Sequence, residues 1–239
     1  MILSVKDAKI RLPSEFLEKI LETSEEEIEK IVIDLLAKKS TEKKGSGNMQ
    51  CRSEKVIIIQ SADPIDLFPI VSSRSLKPGI ISIESGSSIE DEGWIKVLAA
   101  KNIDSLEKNK LLAERIILLG PSELLAPMFN ARKISCFSQE SLVEAHTPDV
   151  CDGIMEKALE FESCFLSIDL NSLESSVKGR PGGLSPRELF YFVRRISLLK
   201  NIFVIEIRNA FDETDLPVLR RILAELSKYD FPTTSPKHF

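Results

Sequence analysis

Six short apolar runs, rich in Ile, Val and Phe, constrain this chain more than any other feature. They are Val56–Ile59, Ile80–Ile83, Ile116–Leu119, Ile134–Phe137, Phe165–Ile168 and Ile202–Ile207. Turn residues bound each run, and helical stretches separate most of them. A strand with one wet face alternates apolar and polar residues. Runs as continuous as these belong to strands buried on both faces, as in a parallel sheet covered by helices. The expected fold class is therefore α/β, a three-layer α/β/α arrangement with a mainly parallel sheet. One intervening helix is well marked. Ser185-Pro186-Arg187-Glu188 combines an N-cap, a first-turn proline and a capping-box glutamate, and Leu189, Phe192, Val193 and Ile196 continue it along one face. Val218, Leu219, Ile222 and Leu223 mark a second helix over Leu216–Leu226 in the same way.

The first forty residues read as helices preceding that domain. Phe16, Leu17, Ile20 and Leu21 form one apolar patch after Pro13. Ser24 and Glu27 then form a capping box ahead of the stripe Ile28, Ile31, Val32, Leu35 and Leu36. Residues 38–48 (KKSTEKKGSGN) are polar and Gly/Ser-bearing, which reads as a flexible surface linker. The expected division is N-terminal helices and linker over 1–50 and one compact α/β unit over 51–239.

Composition narrows the function. A net charge of -5 argues against a general nucleic-acid binder. No apolar run reaches the length of a membrane span, and residues 1–16 carry no signal-peptide core, so no membrane partner and a cytoplasmic location are expected. The four cysteines, Cys51, Cys136, Cys151 and Cys164, form no CxxC pair, and Cys136 and Cys164 lie in or beside apolar strands as packing residues. The two histidines, His146 and His238, are too few for a centre built on several imidazoles. His146 reads as a helix-end surface residue, and the absence of a base histidine excludes triad chemistry at Ser85-Gly86-Ser87-Ser88. No phosphate-binding glycine loop is present either. In parallel sheets ligands sit outside the carboxyl ends of the strands. Asp63, Glu84, Asp169 and Glu206 fall there and either converge on one site or serve as scattered caps and surface charges.

The segment Phe165–Asp212 resembles the arginase/agmatinase/formiminoglutamase (ureohydrolase) family. That family ends a strand with S-[FI]-D-x-D-x-x-D-P, continues to P-G-G-L-[ST]-x-R-E and later carries E-V-N-P-x-x-D. The corresponding stretches here are Ser167-Ile168-Asp169-Leu170-Asn171-Ser172-Leu173-Glu174, then Pro181-Gly182-Gly183-Leu184-Ser185-Pro186-Arg187-Glu188, then Glu206-Ile207-Arg208-Asn209-Ala210-Phe211-Asp212. Upstream, VIIIQSADPIDLFPIV resembles the family's strand-plus-GGDHS segment and GIISIESGSSI its strand-plus-DAHTD segment, by position and hydrophobic pattern.

The resemblance implies an arginase-like fold and, in an active member, two Mn²⁺ ions held by four Asp and two His, with a bridging hydroxide that attacks a guanidinium-type carbon. Carried over position by position, the GGDHS histidine falls on Asp63. The DAHTD ligands fall on Glu84, Gly86 and Ser88. Asp169 keeps its ligand identity, whereas the second aspartate of that strand end is Asn171. Glu206 matches the carboxylate that orients the guanidinium, but Arg208 replaces the asparagine after it. The loop before Gly182 is shortened to residues 174–181. Three carboxylates at Asp63, Asp169 and Glu206 would repel one another without a counter-charge. Arg208, Lys178 or Arg180 is expected to supply it in place of manganese.

Three functional readings follow. The first is a non-catalytic ureohydrolase-fold protein with a degenerate manganese centre, in a regulatory or structural role, as a homo-oligomer or as the partner of an active paralogue. No cofactor is then expected. The second is a divergent hydrolase of C–N bonds in guanidino or related compounds, holding a single Mn or Mg ion through Asp63, Glu84, Asp169 and Glu206. The third is an unrelated α/β domain binding a small ligand at its strand ends.

Overall fold

The computed structural model describes residues 2–6, 20–21, 56–60, 77–84, 113–120, 126–131, 133–173, 183–209 and 215–227. Each of the six apolar runs forms a strand: β3 (Val56–Gln60), β4 (Pro78–Ile83), β5 (Ile116–Leu119), β6 (Ser135–Phe137), β7 (Ser163–Asp169) and β8 (Ile202–Arg208). Two more precede them, β1 (Ile2–Lys6) and β2 (Ile20–Leu21). All eight join one sheet in the order β2-β1-β3-β8-β7-β4-β5-β6, and every pairing is parallel. The chain builds outward through β4, β5 and β6, then returns to insert β7 and β8 between β4 and β3. The last strands made are thus the central ones. Both faces of β4, β5 and β7 are fully buried, which is the condition of the middle layer in a three-layer α/β/α fold.

The N-terminal helices are corrected at two places. Ile2–Lys6 and Ile20–Leu21 are strands, and β1 pairs with both β2 and β3. The physical reason is the shortness of the apolar runs. A two-residue pair such as Ile20-Leu21 fits either periodicity, and an available parallel edge, that of β3 for β1 and that of β1 for β2, decides in favour of a strand. The stripe from Ile28 to Leu36, its capping box and the linker lie outside the described residues.

Five described helices are α1 (Ala126–Ala131), α2 (Gln139–Glu144), α3 (Thr147–Ala158), α4 (Pro186–Ile196) and α5 (Leu216–Ser227). The predicted capping box of α4 is formed: Ser185 Oγ accepts from the Glu188 amide at 3.3 Å, while Glu188 Oε2 accepts from the Ser185 amide at 2.8 Å. Cys151 and Ile154 of α3, Phe192 and Val193 of α4, and Leu219 and Leu223 of α5 pack with Ile81, Ile83, Leu166, Ile168, Ile205 and Ile207 in one apolar cluster. Packing is close enough to require a glycine at position 79, because a Cβ there would stand 2.1 Å from the Phe161 ring. Asn201 ties the end of α3 to the start of β8, its Nδ2 donating to the carbonyls of Ala158 (2.7 Å) and Phe161 (2.9 Å).

Candidate functional site

Alternation along the three central strands creates the site. Successive side chains point to opposite faces, and Ile81, Ile83, Leu166, Ile168, Ile205 and Ile207 take the helix-packed face. The opposite face then receives Ser82 and Glu84 from β4 and its end, Ser167 and Asp169 from β7, and Glu206 and Arg208 from β8. Register aligns them in two rows: Ser82 opposes Ser167, which opposes Glu206, and one step further Asp169 opposes Arg208. All six are buried. Polar groups this deep persist only when hydrogen-bonded or ion-paired to one another.

The guanidinium of Arg208 is the hub. Its Nη2 donates to Glu84 Oε1, its Nε donates to Ser167 Oγ at 2.9 Å, and Nε lies 3.6 Å from Glu206 Oε2. Ser82 Oγ donates to Glu84 Oε1, and Ser167 Oγ donates to Glu206 Oε2 at 3.0 Å. The two serines therefore relay hydroxyl donors to the carboxylates that Arg208 faces.

Electrostatics follow from this crowding. Burial pushes the Glu206 carboxyl up to about 7; Arg208 and the Ser167 hydroxyl work against that rise, and the charges of Glu84 and Asp169 add to it. Burial works against the charged form of Arg208, but Glu84, Glu206 and Asp169 outweigh it and hold the guanidinium protonated beyond its ordinary range.

Asp169 differs from the other acids. Its Oδ1 caps the short turn Leu170–Ser172, accepting from the Asn171 amide at 2.8 Å, and also accepts from Asn209 Nδ2 at 2.6 Å. Asn209 reaches it from a left-handed backbone conformation (φ 58°), which asparagine tolerates better than most residues. Oδ2 of Asp169 is buried and has no hydrogen-bond partner among the described residues. The neighbouring β5 end also shapes the site. Gly120 has φ +98°, and a Cβ there would stand 2.5 Å from the Glu84 carbonyl oxygen, while the Glu84 amide donates to the Leu119 carbonyl at 2.9 Å. Only glycine lets the backbone of β5 pass this close to Glu84.

Of the residues singled out in the sequence, Glu84, Asp169, Glu206 and Arg208 are brought together. Asn171 contributes a backbone amide from a half-buried turn. Asp63, Gly86, Ser88, Lys178 and Arg180 lie outside the described residues, as do Cys51 and His238. His146 is the exposed N-cap of α3. Burial raises Cys136 and Cys151 to about 11 and Cys164 further still, so these thiols stay protonated and unreactive.

Ser82, Ser167, Asn209 and Gly120 escaped the sequence reading. A signal for the serines existed. Ser82-Ile83-Glu84, Ser167-Ile168-Asp169 and Glu206-Ile207-Arg208 repeat one polar–Ile–charged pattern at three strand ends.

These residues do not fit a binuclear manganese centre. Oε1 of Glu84 and Oε2 of Glu206 are engaged by N–H and O–H donors, and a permanent positive charge stands between the two carboxylates. Among the described residues, no group of three or more His, Cys, Asp or Glu side chains is placed to hold a metal ion.

No family model matches the sequence, and no curated protein matches it. Solved structures do. Entamoeba histolytica arginase aligns with a TM-score of 0.63 at 14% identity over 95% of this chain and 97% of that one. Formimidoylglutamase from Bacillus subtilis gives 0.62 at 14% over 94% and 84%, and arginase from Bacillus cereus 0.62 at 15% over 94% and 96%. At such identities the likeness is one of fold. The chain has the arginase, or ureohydrolase, fold.

Proposed function

We propose that this arginase-fold chain is a non-catalytic protein whose strand-end site is closed by its own guanidinium, and that it serves a regulatory or structural role. One observation carries the reading: Arg208 sits among Glu84, Ser167 and Glu206, at the carboxyl ends of the central strands. Metal-assisted attack on a guanidinium carbon needs carboxylate oxygens free to bind cations and a bound water made acidic by them. Here the positive charge is supplied internally and fixed by hydrogen bonds. A guanidinium cannot lower the pKa of a coordinated water, because it offers donors and no vacant coordination site. The fold is then kept for binding, to a second copy or to an active paralogue, rather than for chemistry.

The direct test is urea release from guanidino substrates, measured on protein re-equilibrated with Mn²⁺ and, separately, with Mg²⁺. The proposal expects no turnover above the metal blank, and metal-dependent turnover would overturn it.

A second reading rests on Asp169. Its buried, unpartnered Oδ2 is an acceptor that a single hard cation would satisfy, and a divergent C–N hydrolase of that kind would lose both ion and turnover on Asp169→Ala.

A further inference from the structure

We draw no further inference here: the strongest candidate, the groove where the N-termini of α3 and α4 meet the side of α5, offers one exposed arginine, Arg187, beside Arg194 and Arg221, which are already engaged, and nothing in the structure shows what would fill it.

Discussion

Arg208 faces three buried carboxylates, those of Glu84, Glu206 and Asp169, and its charge offsets theirs. Removing one partner of a buried ion pair strands the other charge and costs about 3–5 kcal/mol. Arg208→Ala should therefore lower the free energy of urea unfolding by that order, and Glu206→Gln in the same chain should restore part of the loss by removing one stranded charge. An Arg208→Ala protein with parental stability would show that the guanidinium neutralises nothing. Glu206 makes a separate prediction. Its folded pKa, about 7, stands above the ordinary 4.5, so the proton is bound more tightly in the folded state. That stabilisation is complete below the unfolded pKa and is lost as pH rises through about 7, a change of about 3 kcal/mol. Unfolding measured between about pH 5 and 8 should show wild type losing stability relative to Glu206→Gln as pH rises. A constant difference between the two proteins would contradict the buried, proton-linked carboxyl.

The elements were legible where the sequence pattern had one physical meaning. Six continuous apolar runs suggest buried strands and all six form strands, although β6 is only half-buried, and the helix begins as Ser185-Pro186-Arg187-Glu188 signals. Ser185→Ala should cost about 1 kcal/mol in thermal or urea unfolding, since it removes the acceptor for the Glu188 amide. Ile2–Lys6 and Ile20–Leu21 differ from the helix expected there because runs that short do not set a period, and only the edges offered by β3 to the first and by β1 to the second distinguish the alternatives. The site was half legible for a related reason. Charged residues at strand ends are visible in a sequence, but which of them share a row depends on register. The order β3-β8-β7-β4, which brings Glu206 beside Ser167 and Arg208 beside Asp169, is a property of the folded sheet. Gly120 was silent because nothing in its sequence neighbourhood announces a close approach by the Glu84 backbone. Replacing it with alanine should cost about 2 kcal/mol or more, combining a positive φ with a carbonyl clash. Parental stability in Gly120→Ala would mean that β5 can withdraw from Glu84 without loss.

At the scale of the molecule, the proposed reading is of an arginase fold without arginase chemistry. The fold matches that of structures that share only 12–15% of this sequence. Packing tolerates that much change because apolar volumes can be exchanged while the pattern stays fixed. A metal centre tolerates far less, since each lost donor removes coordination that no neighbour can replace. On the proposed reading, the guanidinium of Arg208 among the carboxylates of Glu84 and Glu206 neutralises the cluster and competes with divalent cations for it. The most direct measurement is the metal content of protein stripped with chelator and re-equilibrated with Mn²⁺, then with Mg²⁺, taken alongside Arg208→Ala. The account predicts no stoichiometric metal in the parent protein with either ion. A full complement of tightly held manganese in the parent would contradict it and return the site to hydrolytic chemistry.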